Sequence, residues 1–203
     1  MTKYKFTKKD FDVFKVDGLA PRMEALINTT RPKLEALGDH FSGYLSEQTD
    51  ETFYPHVAKH LRRKTNPPND TWVAFATNKR GYKMLPHFQI GLFGSHAFVL
   101  FGVIYESPDK DRMAKKWKKQ MKAIQALNDD YIIKGDHMKE EFTYIKDLKK
   151  KDIESYINRL VDVKKGELMF GKVFYPGDEA LKTDKAFIKE IEQTFFEMLP
   201  LYQ

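Results

Sequence analysis

Cysteine is absent from this chain, which excludes disulfides, thiol nucleophiles and thiolate metal sites and agrees with a reducing compartment. Other chemical signatures are missing too. No GxxxxGK(S/T) phosphate loop, no GxGxxG between a strand and a helix, no HExxH and no GxSxG occurs, so phosphate-loop, dinucleotide, zinc-protease and α/β-hydrolase chemistry have no support. The opening residues, MTKYKFTKKDF, lack the apolar core of a secretory signal. One long apolar run exists, His87 to Glu106, but it holds two His, a Gln and a Gly-Ser pair that would each cost several kcal/mol in hydrocarbon. The expectation is a cytoplasmic protein with no membrane span. Internal repeats, low-complexity tracts and long linkers are also absent.

What the run does carry is the pattern of a β-hairpin. Segments rich in Phe, Ile, Leu and Val flank Gly94-Ser95, and glycine at the first central position predicts a type II′ turn. A two-residue loop there pairs Phe93 with His96, Gly91 with Phe98, Gln89 with Leu100 and His87 with Gly102. Alternation gives two faces. Phe88, Ile90, Leu92, Ala97, Val99, Phe101, Val103 and Tyr105 form an apolar face that must meet the core. The opposite face is mixed, with His87, Gln89, Phe93, His96, Phe98, Leu100 and Ile104, and Gly91 and Gly102 leave room on it for a close approach.

With 203 residues, 41% of them hydrophobic and 32% charged, the chain suits a single α+β domain spanning 1–203. Thr7 and Asp10 resemble a capping pair before Phe11 and Phe14. Helices are predicted from Pro21 to Asn28 and from near Thr30, where Leu34, Leu37, Phe41 and Leu45 share one stripe. Pro67-Pro68 makes a loop, Trp72–Ala76 a strand, and Tyr82–Leu85 a further strand before the hairpin. A lysine-rich helix then buries Met113, Trp117, Met121 and Ile124, and its outer lysines read as solvated surface. Tyr131–Ile133, a helix over Lys150–Val163, a strand over Leu168–Tyr175 and a last helix capped by Asp184 complete the chain. That order predicts an antiparallel or mixed sheet with a central β-hairpin, and helices packed on one face and at the ends.

Positive charge is concentrated. The formal net charge is +6, and between Lys59 and Lys83 the cations Lys59, Arg62, Arg63, Lys64, Lys79, Arg80 and Lys83 face the lone anion Asp70. His56 and His60 flank this stretch, four residues apart. On a helix that spacing would suit a metal, but no third ligand accompanies it and none is assigned. Arg62, Arg63, Lys79, Arg80, Lys83, His56 and His60 are the expected anion-binding groups, since guanidinium forks match phosphate and carboxylate. Trp72, Tyr82, His87, Gln89 and His96 are the expected pocket or stacking groups. Both basic segments run into strands of one sheet, which leaves them able to converge on one edge; a shared site requires His87 and Gln89 to be open to the same cleft as Arg62 and Arg80. The structural alternative is solvated loops, with Trp72 and Tyr82 as packing.

The text HVAKHLRRKTNPPNDTWVAFATNKRGYKMLPHFQIGLF, together with VIYE at 103–106, resembles the YktB-like family of bacterial proteins. The resemblance covers the whole chain. It implies a cytoplasmic α+β domain with a topology related to the biotin protein ligase catalytic fold, and it implies no activity. A GRGR-like biotin loop is absent. Two functions follow. One is a non-catalytic binding module for a phosphorylated or other anionic small molecule or nucleic acid, with no cofactor. The other is an enzyme on an anionic small molecule, with His87 or His96 as general acid or base.

Overall fold

The structure, a computed structural model, describes residues 3–203. The predicted hairpin is its centre. Strands β1 (Tyr54–Val57), β2 (Asp70–Ala76), β3 (His87–Phe93) and β4 (Ala97–Val103) follow in sequence, and β5 (Tyr131–Lys134), β6 (Thr143–Tyr144) and β7 (Leu168–Phe174) come later. They form a seven-stranded sheet in the order β1-β2-β3-β4-β7-β5-β6, every pair antiparallel. The hairpin register is the expected one: His87 faces Gly102, Gln89 faces Leu100 and Gly91 faces Phe98, and the Phe93 N–H donates to His96 O at 2.9 Å.

The turn itself is not type II′. Gly94 lacks the positive φ that turn demands. Its glycine serves close packing instead, because a β-carbon there would stand 3.2 Å from Phe14 Cβ of the N-terminal segment. The room at Gly91 is likewise filled by the protein itself: a β-carbon would meet the Phe98 ring and Thr71 O, each at 2.5 Å.

Helices cover one face of the sheet. They are α1 (Lys8–Asp12), α2 (Leu19–Thr29), α3 (Arg31–Thr49), α4 (Lys110–Lys119), α5 (Met121–Gln125), α6 (Lys150–Asp162) and α7 (Asp184–Tyr202). Stripes from α3, α4, α6 and α7, such as Phe41, Trp117, Ile157 and Phe195, bury themselves against Phe75, Phe88, Phe101 and Phe170. Edge-to-face ring pairs lace this layer, Phe88 with Phe195 at 4.9 Å and Trp117 with Phe170 at 5.1 Å. Tyr105, expected on this face, lies beyond the end of β4 and is exposed. The cap of α7 is Thr183, whose hydroxyl accepts the Ala186 N–H at 3.0 Å. Asp184 instead collects the N–H groups of Lys3, Tyr4 and Lys5 and ties the N-terminal segment down.

The other face is covered by loops. Residues 58–69, 77–86 and 135–142 lie over it, and Tyr82–Leu85 is part of such a loop rather than a strand. Under them sits a second cluster of Phe93, Phe98, Leu100, Ile104, Ile132 and Met169, joined by Trp72, Tyr82 and Phe142. The sheet is strongly coiled toward this side. In register Lys134 lies level with Met169, Gly102 and His87, so in a flat sheet Phe93 would be roughly 14 Å across and roughly 20 Å along from it. Yet Lys134 Nζ stands 4.7 Å from the Phe93 ring centroid. Strand twist brings these diagonal corners together and makes the loop-covered face concave.

Candidate functional site

The basic segments reach the concave face from opposite ends of β2 and meet only in part. His56 is in β1, not on a helix, and its Nε2 lies 2.9 Å from Asn78 O. His60 has a φ of 53 and turns back over the sheet. Its ring stands edge-on to Trp72 at 5.6 Å, with Nε2 3.2 Å from Thr71 Oγ1. These conformations abolish the helical spacing that would have aligned the two imidazoles. From the other end, Tyr82 accepts the Trp72 Nε1–H at 3.1 Å and packs on His87 at 4.8 Å. Burial pushes the Tyr82 phenol up to about 12, so it stays neutral as an acceptor.

A cleft of about 690 Å³ opens between the end of β1 and the 78–85 loop, lined by His56, Val57, Arg80, Tyr82, Lys83, Met84 and Pro108 among others. Arg80 makes no ion pair among the described residues, whereas Lys83 is held by Glu106 at 2.9 Å. Met84 stands at the cleft largely exposed, at 62%. Four of the expected residues, His56, Arg80, Tyr82 and Lys83, thus share one cavity. Arg62 and Lys79 do not line it, and Arg63 bonds the carbonyls of Asn66 and Pro67 in its own loop.

His87 and Gln89 correct the sequence expectation most clearly. Neither is open to a cleft: they are 0% and 2% exposed. His87 donates from Nδ1 to Leu85 O at 2.8 Å and accepts the Gln89 amide at Nε2 at 2.9 Å, so both ring nitrogens are used. Burial pushes its pKa down to about 4. A neutral imidazole with both nitrogens engaged is a packing group rather than a general base. His96 is also held near 4, chiefly by burial and then by Lys134, and rests among Phe93, Phe142 and Tyr175.

Sequence reasoning missed the charged groups on the concave face. Glu167, just before β7, accepts the His137 N–H at 2.8 Å, His137 Nδ1–H at 2.7 Å and the Tyr105 N–H at 3.4 Å. Asp136, His137 and Glu167 bring ligand-type atoms within 4.8 Å of one another, but a carboxylate already served by three N–H donors needs no cation, and the pair reads as a clasp on the 135–138 turn.

Asp70 is different. It opens β2 on the concave side, opposite Phe93, and is 2% exposed. Its own backbone N–H supports the carboxylate. Burial pushes its pKa up to about 6 against the pull of His137, Arg63 and Lys134, and burial pushes Lys134 down to about 8 against the pull of Asp70. In contact, the two would hold each other charged. Burial outweighs that attraction at both. One signal for Asp70 was available, since an acid two residues before Trp72 in an alternating strand must share its face. Lys134 and His137 carried none, because nothing in the sequence sets β5 beside β7.

A family model described as a domain of unknown function (DUF1054) matches residues 6–202. A UPF0637 protein of Macrococcus caseolyticus (strain JCSC5402) is 69% identical over 202 residues, covering 100% of both chains. UPF0637 proteins of Staphylococcus aureus, from strains bovine RF122 / ET3-1 and MSSA476, are 55% identical over 202 residues, covering 100% of this chain and 99% of theirs.

Proposed function

Because the chain belongs to the DUF1054 (UPF0637) family, in keeping with its YktB-like resemblance, we propose that it acts as one α+β domain that binds an anionic small molecule without transforming it. The observation that carries this is the cleft of about 690 Å³ where His56, Arg80, Tyr82 and Lys83 meet. Its volume suits a small-molecule ligand. Arg80, free of any carboxylate among the described residues, supplies the fork for a phosphate or carboxylate, and Lys83 exchanges Glu106 for the ligand. Tyr82 offers a ring edge and Met84 an adaptable apolar cover. Arg62, Arg63, Lys79 and His60 add long-range attraction rather than contact.

A binding role is favoured over the histidine enzyme by the state of His87, both of whose nitrogens are bonded inside the fold. No described helix is long and apolar enough to cross a membrane, and a cytoplasmic setting belongs to the same proposal. Calorimetry with inorganic pyrophosphate, at low and at physiological salt, tests it. Arg80→Ala should weaken binding by about tenfold or more, the value of a charge-assisted hydrogen bond, and affinity should fall with salt. Undetectable binding at low salt, or equal binding by the variant, would refute it.

A further inference from the structure

At the Phe93 end of β3, away from the cleft of the proposed anion site, the turn between β3 and β4 meets the 137–142 segment. That segment is pinned by the His137–Glu167 clasp and by hydrogen bonds from Ser95 Oγ to Glu140 and from Lys134 Nζ to Lys139 O. Beside it is a second cleft, of about 610 Å³, whose lining includes Phe93, His96, Glu140, Glu141, Phe142 and Tyr175. Its volume suits a small molecule.

His96 is the polar group aimed into this cleft, and it is only 3% exposed. Ser95 Oγ–H donates to Glu140, because a carboxylate can only accept. The serine has no second proton to give. The 2.8 Å contact between Ser95 Oγ and His96 Nδ1 is therefore made by the imidazole N–H, which leaves Nε2 as a bare lone pair. Nε2 has no partner among the described residues, yet it is not among the polar atoms sealed from solvent without one, so it opens on the cleft. Burial, and then Lys134, hold the imidazole near 4, so at neutral pH the lone pair stays available.

An acceptor calls for a donor, and its surroundings say which kind. Rings bank around the imidazole: Phe142 at 5.4 Å, Phe93 at 5.4 Å and Tyr175 at 6.1 Å. Such walls favour an aromatic body, and ring faces attract a cation. The exposed carboxylates of Glu140 and Glu141 line the same cleft and disfavour an anion. Lys134 already stands over the Phe93 ring at 4.7 Å, and the carboxylates of Asp70, Asp136, Glu141 and Glu140 act on it. Phe142 and Tyr175 are left for a ligand.

We propose that this second cleft binds an arylalkyl ammonium ion, whose N–H is accepted by His96 Nε2 and whose charge lies among Phe142, Tyr175, Glu140 and Glu141. A neutral donor would leave the carboxylates and ring faces unused, and a quaternary ammonium would leave Nε2 unpaired. The lining shares no residue with the anion cleft, so either proposal can fail alone.

Tyramine is the probe, measured by calorimetry. Its alcohol analogue, tyrosol, lacks the charge, and its trimethylammonium analogue keeps the charge but has no N–H to give. Each should bind about tenfold or more weakly than tyramine, the value of a charge-assisted hydrogen bond. His96→Phe, verified as folded by near-ultraviolet circular dichroism, should bind tyramine no better than the trimethylammonium analogue. Glu141→Gln, an exposed change that spares the fold, should weaken both cations alike by about threefold, and Arg80→Ala should alter neither. No binding of tyramine at millimolar concentration, equal affinity for tyramine and either analogue, tyramine binding unchanged by Glu141→Gln, or its loss in Arg80→Ala would each overturn the proposal.

Discussion

The two faces of one sheet have been given opposite tasks. On the helix-covered face nearly every side chain is apolar, and rings such as Phe88, Phe101, Trp117 and Phe195 interlock there. On the loop-covered face the same strands bury Asp70, His87, Gln89, His96 and Lys134 beside Phe93 and Leu100. Buried polar groups cost stability unless partnered. His87 and Gln89 partner each other. The lesson is that burial alone does not separate the faces. The polar pairs buried on one of them do, His87 with Gln89 and His137 with Glu167.

The largest test of that contrast is Phe88→Ala, which opens a hole in the helix-covered face and should cost about 3–5 kcal/mol in urea unfolding. A loss below about 1 kcal/mol would mean that this face is not the source of stability. Next is Glu167→Gln on the concave face. It deprives His137 of its buried partner and should cost about 3 kcal/mol, with 135–142 losing amide-exchange protection before the rest of the sheet.

Asp70→Asn should act the other way. The folded pKa near 6 lies above the unfolded carboxyl value, so the native state holds a proton that the unfolded chain has released, and stability falls as pH rises from about 4 to 6. Removing the carboxylate should therefore raise stability at pH 7.5, by up to about 3 kcal/mol, the free-energy equivalent of carrying a carboxyl from about 4 to about 6, and by little at pH 4. His60, His87 and His96, all held near 4, act with the opposite sign: the unfolded chain takes up protons first, and stability rises with pH between about 4 and 6.5. Asp70→Asn should accordingly steepen the overall pH dependence in that window, read as Tm against pH. A flatter profile would contradict an Asp70 carboxyl whose pKa burial holds up. The smallest effect belongs to Arg80→Ala, an exposed change worth under about 0.5 kcal/mol in stability whatever it does to ligand binding.

The hairpin register, the helix stripes and the division of β3 and β4 into two faces were legible because each rests on a local period. Three things were not. The turn at Gly94 was misread because glycine was credited with backbone freedom, when it makes room for Phe14. The strand at His56 was not expected, because a four-residue strand bearing a proline has too little alternation to announce itself. The openness of His87 and Gln89 was inferred from polarity, but what covers a face depends on loops that carry no period. Of the candidate site, His56, Arg80, Tyr82 and Lys83 line one cleft. Asp70 appeared in the sequence only as one negative charge among many positive ones.

The outermost strands, unremarkable in themselves, bear on how this protein behaves when concentrated. One margin of the sheet is β1, four residues long with Pro55 in it, and Pro55 packs so closely under α3 that a β-carbon at Gly38 would come within 3.0 Å of it. The other margin is β6, of two residues. Neither presents the long, flat row of free amides that templates strand addition. A chain with so aromatic a middle is thereby spared lateral growth into fibrils, and its self-association, if any, must use side chains rather than backbone.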